Sequence, residues 1–99
     1  MTIFHWDTAK AILNWKKHRI SFDTAQLVFD DPYALTEPDR IESGERRWQT
    51  IGLVGSTAIL LVAHTILEGD VEIIRIISAR RATRQERMRY EQNREENAW

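Results

Sequence analysis

Residues 58–78 read AILLVAHTILEGDVEIIRIIS, two apolar runs rich in Ile, Leu and Val on either side of a Gly69-Asp70 turn signal. Runs this short, bounded by turn residues, predict strands at Ala58–Thr65 and Val71–Ser78. Upstream, Trp48–Leu53 and Tyr33–Thr36 show the same period of two, and Gly55-Ser56 marks a further turn. Close hairpin connections of this kind predict an antiparallel meander. Glu37–Glu45 is acidic and holds Pro38 and Gly44, so it is read as a mobile loop.

Ahead of the strands the period becomes helical. Phe4-His5-Trp6 reads as a brief strand, and Asp7 stands as the N-cap of a helix over Thr8–His18 with Ala9, Ile12, Leu13 and Lys16 on one face. A second short helix, about Phe22–Phe29, repeats Phe22, Ala25, Val28 and Phe29 on one side and stops before Pro32. After the last strand, Thr83 is followed three residues later by Glu86, the pattern of a capping box. The helix it starts, Arg84–Glu96, offers Met88 and Tyr90 alone to a core, so it should be marginal in the isolated chain. Trp99 lies beyond it, free of any periodic face. The predicted fold is α+β, a single domain over residues 1–99. Two N-terminal helices pack on one face of a curved antiparallel sheet, and a charged helix closes the chain.

Composition limits the chemistry. The 99 residues contain no cysteine, which excludes a disulfide framework, a thiolate metal site and a cysteine nucleophile. The apolar stretch Ala58–Ala63 is far shorter than the roughly 20 residues of a membrane span, and Met1–Asp7 lacks the basic and apolar regions of a signal peptide. A cytoplasmic protein with no membrane partner and no cofactor is expected. The net charge of -1 is unevenly divided. Residues 36–72 carry seven acids and three bases, whereas 73–99 carry four acids and seven bases, all arginine. The planar fork of arginine suits phosphate and carboxylate alike, so this run fits a nucleic-acid backbone, an acidic protein or a solvated helix face.

A family resemblance narrows these alternatives. Trp6-Asp7, Lys10, Asn14, Lys17-His18, Phe22, Ala25, Val28-Phe29-Asp30-Asp31-Pro32, Asp39, Glu45, Arg47, Ile51-Gly52, Val62, His64-Thr65 and Arg75-Ile76-Ile77-Ser78-Ala79-Arg80-Arg81-Ala82 run in an order and spacing that resemble the BrnT toxin family. The likeness covers about positions 4–91. It implies a RelE-like fold and ribonuclease activity against cellular RNA. It also implies a ribbon-helix-helix antitoxin, with promoter DNA bound only through the antitoxin complex. The chain departs from the pattern at Arg19, where the family has a Gly at the helix end, and at Arg46, where an acid is common. A non-Gly residue in a left-handed helix cap costs about 1 kcal/mol.

Cleavage of RNA without a metal needs a base for the ribose 2′-hydroxyl, cations around the phosphate and an acid for the leaving oxygen. His64 is the proton-transfer candidate by its side-chain class, against the commoner structural role of a lone strand histidine. Arg75, between isoleucines, faces away from Ile74 and Ile76, which the period of two turns to the core. Arg75, Arg80 and Glu45 complete the expected catalytic set. Lys17, His18, Arg47 and Arg81 are expected to bind RNA, although Lys17 and His18 equally suit a helix C-terminus and Glu45 and Arg47 a cross-strand ion pair. Trp6, Trp15 and Trp48 suit either base stacking or a core. His5, His18 and His64 lack the spacing of metal ligands. Arg84, Arg87, Met88 and Tyr90 are expected to bind the antitoxin. The rival reading is a binding module without turnover, and convergence of His64, Glu45 and Arg75–Arg81 on one concave face separates the two.

Overall fold

The computed structural model describes residues 1–98, so Trp99 lies outside the described residues. The chain runs β1 (Thr2–Trp6), α1 (Thr8–His18), α2 (Phe22–Ala25), a 3₁₀ segment (Gln26–Asp30), β2 (Leu35–Glu42), β3 (Glu45–Val54), β4 (Ala58–Leu67), β5 (Glu72–Arg81) and α3 (Arg84–Glu96). The α+β class matches the sequence, but the sheet is mixed. Strands β2 to β5 form the antiparallel meander, whereas β1 lies parallel to β5, with Phe4 opposite Ile74 and Trp6 opposite Ile76. Three consecutive residues signal a strand without signalling its direction. Here the helices that follow β1 carry the chain to the far edge of the sheet, and this leaves β1 beside the last strand.

The expected loop over Glu37–Glu45 is instead a hairpin. Strand β2 continues to Glu42, and the turn is the pair Ser43-Gly44, with φ of 53° and 77°. Two successive positive φ values suit the right-handed twist of a two-residue hairpin. Pro38 is accommodated because β2 is an edge strand and its register shifts between Pro38 and Ile41. The second predicted helix also divides, into α2 and the 3₁₀ segment.

One face of the sheet packs under α2 and the 3₁₀ segment, in a cluster with Phe22, Ala25, Val28, Val62, Ile74 and Ile76. Burying each of the larger side chains contributes about 1.5–3 kcal/mol. Gly52 sets the approach distance, because a Cβ there would stand 2.9 Å from the Cβ of Val28 and 3.0 Å from its carbonyl oxygen.

Helix α1 is seated differently from its apolar pattern. Ile12 and Leu13 are exposed, and the buried residue is Asn14. Its amide donates to the carbonyls of Ile20 and Ala79, and its oxygen accepts from the Ala79 N–H. Because β1 pairs with β5 only as far as Ile76, Asn14 takes the place of a neighbouring strand beyond that point. Arg19 does adopt the left-handed cap, at φ 57°, with its N–H bonded to the Trp15 carbonyl.

The opposite face of the sheet is covered in part by α3. Tyr90 is fully buried with Ile51, Leu61 and Ala82, against Tyr33, Leu53 and Ile59. Its hydroxyl donates to Asp31, while Asn93 donates to the Tyr33 carbonyl and Arg89 pairs with Glu37. The helix thus has more to hold it than its two apolar residues suggested. One aromatic anchor and a ring of polar contacts dock α3, and Met88 points outward. Burial alone would raise the pKa of Asp31, but the hydrogen bonds from Tyr90 and from the Leu53 and Tyr33 N–H groups outweigh it and hold the carboxyl below its usual range.

Candidate active site

Beside α3 the same face of the sheet carries charged side chains. Alternation along the strands sets Arg47 and Gln49 of β3, Ala63 and Thr65 of β4, and Arg75 of β5 on this side. Arg75 donates to Glu45 at 2.5 Å across the sheet, and Arg47 pairs with Glu42 at 3.2 Å. The Arg47 side chain is largely buried, and its Nε has no hydrogen-bond partner among the described residues. Arg47 and Arg75 line a cavity of about 100 Å³ together with Asp7, Lys10, Ile76 and Ile77. Three cations thus surround a space whose one carboxylate, Asp7, is occupied in capping α1 through the N–H groups of Ala9 and Lys10.

A bulge shapes the rim of this cavity. Ala63 pairs with Ser78 and His64 with Ile76, so Ile77 is an extra residue in β5. Bulges bend a strand and re-aim its side chains, and they recur beside functional sites. Ile77 borders the arginine cavity and also a shallow hollow along α1, which Lys10, Lys17, His18 and Ser78 line with it.

The expected residues do not all meet here. Glu45, Arg75 and Arg47 come together, and Lys17 and His18 lie along the adjoining hollow. His64 is on the opposite face of the sheet with 0% exposure, so it presents no ring atom to a ligand. Its Nε2 lies 2.7 Å from the Thr50 hydroxyl, which lies 2.8 Å from that of Thr36, and Phe29 packs edge-on against the ring. Burial pushes its pKa down, against a backbone hydrogen bond at Thr65 that raises it. His64 therefore does not join Glu45 and Arg75 as expected, because a strand that alternates cleanly carries position 64 inward with Val62.

Arg80 is held elsewhere. Its fork donates both Nη atoms to Glu86, at 2.7 and 3.0 Å, while Glu86 also accepts from the Thr83 N–H in the capping box of α3. The Arg80 hydrogen bonds, opposed by burial, draw the Glu86 pKa down to about 2, and Glu86 raises that of Arg80 in turn. Arg81 is exposed and borders a different cleft, with Trp15 and Arg19. Arg84, Arg87 and Met88 share the outer side of α3, whereas Tyr90, expected among them, is buried in the core. Of the three tryptophans considered for stacking, Trp6 packs edge-on against Phe22 in the core and Trp15 is exposed on α1 beneath Arg19.

Lys10 was missed as a site residue. Its seven-residue spacing from Lys17, one face of a helix, was the available signal. Among the described residues no group of three or more His, Asp or Glu side chains is placed to hold a metal ion, and no helix is long and apolar enough to cross a membrane.

Comparisons with known proteins bear on this site. A search of curated proteins finds no match. Among solved structures, the chain is similar to the crystal structure of the Brucella abortus ribonuclease toxin BrnT, with a TM-score of 0.64 and 24% identity over 85% of this chain and 99% of that one. That likeness speaks for the fold. The family model described as the ribonuclease toxin BrnT of type II toxin-antitoxin systems matches residues 6–86, far more than half of the sequence. The chain belongs to the BrnT family of ribonuclease toxins of type II toxin-antitoxin systems.

Proposed function

We propose that the chain, with a RelE-like arrangement of its elements, cleaves cellular RNA without a metal, at the cavity that Arg75 and Arg47 line and beside which Arg75 holds Glu45. The observation that carries this reading is the Glu45–Arg75 pair, a carboxylate and a guanidinium fixed side by side on an uncovered part of the sheet. Glu45 takes the proton of a ribose 2′-hydroxyl, and the 2′-oxygen attacks the neighbouring phosphorus. The bond to the 5′-oxygen breaks, that oxygen takes a proton from water, and a 2′,3′-cyclic phosphate remains. Arg75 and Arg47 face the charge that builds on the phosphoryl oxygens, and each such donor is worth on the order of 10²–10³ in rate. A buried N–H without a partner costs about 1–3 kcal/mol, so a phosphate oxygen that reaches the Arg47 Nε also relieves a penalty present in the resting protein.

In this reading Arg80 and Glu86 hold the start of α3 and take no part in the cavity. A ribbon-helix-helix antitoxin neutralises the toxin in the cytoplasm through the outer side of α3, where Arg84, Arg87 and Met88 are exposed. Promoter DNA is engaged only through that complex. The test is incubation of the purified chain with labelled RNA in the presence of a chelator. Products ending in 2′,3′-cyclic phosphate support the proposal. The scatter of His64 and Arg81 away from the cavity favours the rival reading of a binding module, which predicts RNA retained and uncut.

A further inference from the structure

The salt bridges of the molecule are unevenly placed. Arg40, Arg47, Arg75, Arg80 and Arg89 each have a glutamate within 3.2 Å. Helix α1 contains Lys10, Lys16, Lys17 and His18 and no acid, and among the described residues none of these side chains is ion-paired. Lys10 and Lys17, seven residues apart, lie on one stripe of the helix and about 10 Å apart along its axis. Both border the hollow between α1 and β5, which has no carboxylate in its lining. Its other wall carries Ile77, displaced from the strand's alternation by the bulge, followed by the Ser78 hydroxyl. The hollow adjoins the arginine cavity, since Lys10 and Ile77 border both. Its walls are fixed to each other by Asn14, whose side chain holds both backbone groups of Ala79.

We infer that this hollow seats the RNA strand next to the reacting phosphate, with Lys10 and Lys17 each facing one backbone phosphate and Ile77 under the sugar or base between them. The inference rests on the ribonuclease reading above and extends its site by one step of the strand. Unpaired ammonium groups at regular spacing suit a polyanion, because no existing ion pair must be broken to bind it. An apolar side chain between two cations suits a nucleotide, which alternates charge with flat apolar surface. An acidic protein segment would meet the same lysines, but the continuity with the arginine cavity favours the strand that is cut there.

The test is fluorescence anisotropy of a short labelled single strand that lacks every 2′-hydroxyl, so that it binds without being cut, titrated with the full chain over a range of salt. Lys10→Ala and Lys17→Ala should each weaken binding several-fold at low salt. Each should also lower the slope of log Kd against log salt by about 0.7, the value of one lost phosphate contact. Lys16→Ala, outside the hollow, should leave the slope unchanged, and Lys10→Arg should restore it. If wild type binds and cleaves RNA while Lys10→Ala and Lys17→Ala keep its slope, the inference fails and the ribonuclease reading stands. If wild type neither binds the strand nor cleaves RNA, both fail. A Lys10→Ala/Lys17→Ala double variant that binds the strand normally but loses the antitoxin assigns the hollow to protein and also overturns the inference.

Discussion

The arginines of the sheet and the lysines of α1 carry the same charge into two different situations. Arg75 and Arg47 stand on strands, each held by a glutamate of the β2–β3 hairpin, whereas Lys10 and Lys17 project from a helix with no acid of its own. A guanidinium locked against a carboxylate is oriented before any ligand arrives, at the expense of an ion pair that the ligand must exchange. An unpaired ammonium attracts from a distance but is not fixed in direction. Under the proposed ribonuclease reading, the difference gives chemistry to the paired group and capture to the unpaired one. It also makes the two separable by experiment, since chemistry reads out in kcat and capture in KM and salt dependence.

The largest effect is expected where the pairing is tightest. Arg75→Ala should lower kcat for RNA cleavage on the order of 10²–10³-fold, and Glu45→Gln should fall in a similar range through loss of the base. Arg75→Lys should recover little, because a point charge cannot hold Glu45 and a phosphate in the geometry of a fork. If Arg75→Ala changes KM alone, the sheet arginines are capture groups like the lysines and the contrast collapses.

Second in size is His64, the titratable side chain with no part in either group. His64→Ala should cost about 2–4 kcal/mol of stability by leaving a void under Phe29 and removing one of the two hydrogen-bond partners of the Thr50 hydroxyl. Cleavage per folded molecule should be unchanged, and a loss of kcat at full folding would return His64 to the chemistry. The pH dependence adds an independent check. The folded-state pKa lies below the ordinary 6.5, so the unfolded chain takes up the proton first. This contribution to stability is complete above pH 6.5 and is lost as the pH falls below it, a decline that His64→Ala should lack.

A smaller effect belongs to Arg80, an arginine whose glutamate lies in α3 and not in the hairpin. Arg80→Ala should cost about 1–2 kcal/mol, reduced from the value of a buried charged pair because Arg80 is over one-third exposed. Glu86, at about 2 against an ordinary 4.5, contributes stability above pH 4.5 that is lost as the pH falls toward 2. Thermal melts of Arg80→Ala should lose most of that acid dependence. An unchanged acid limb would show that the pair does not hold α3.

How far these features could be read beforehand depended on range. The meander was legible in residues 58–78, the capping box in Thr83 and Glu86, and the cap position in Asp7, because each is written within a few neighbouring residues. The parallel seat of β1, the role of Asn14 and the burial of Tyr90 all depend on partners about 60 or more residues away, and no local pattern specifies them. The site divides in the same way. Arg75 could be placed by alternation alone, whereas its partner Glu45 fell in a segment that Pro38 and Gly44 disguised as a loop. Ile12 and Leu13 misled for the opposite reason, since their spacing promised a core contact that the hydrogen bonds of Asn14 replaced.

The smallest effect concerns Arg19, a cation at the end of α1 with no ion pair among the described residues, whose backbone works against it. Its φ of 57° is a conformation that glycine adopts without penalty, and the ring of Trp15 lies 5.8 Å from its guanidinium carbon. Arg19→Gly should relieve about 1 kcal/mol of backbone strain. It should also forfeit about 0.5–1 kcal/mol of cation–π attraction at this exposed site. The two nearly cancel, so the melting temperature should rise by no more than the roughly 4–8 °C that 1 kcal/mol represents in a domain of this size. Affinity for RNA should stay at the wild-type value, because Arg19 borders the cleft with Arg81 and not the hollow with Lys17. A drop in affinity equal to that of Lys17→Ala would mean that capture by α1 is a matter of its total charge and not of the stripe that faces β5.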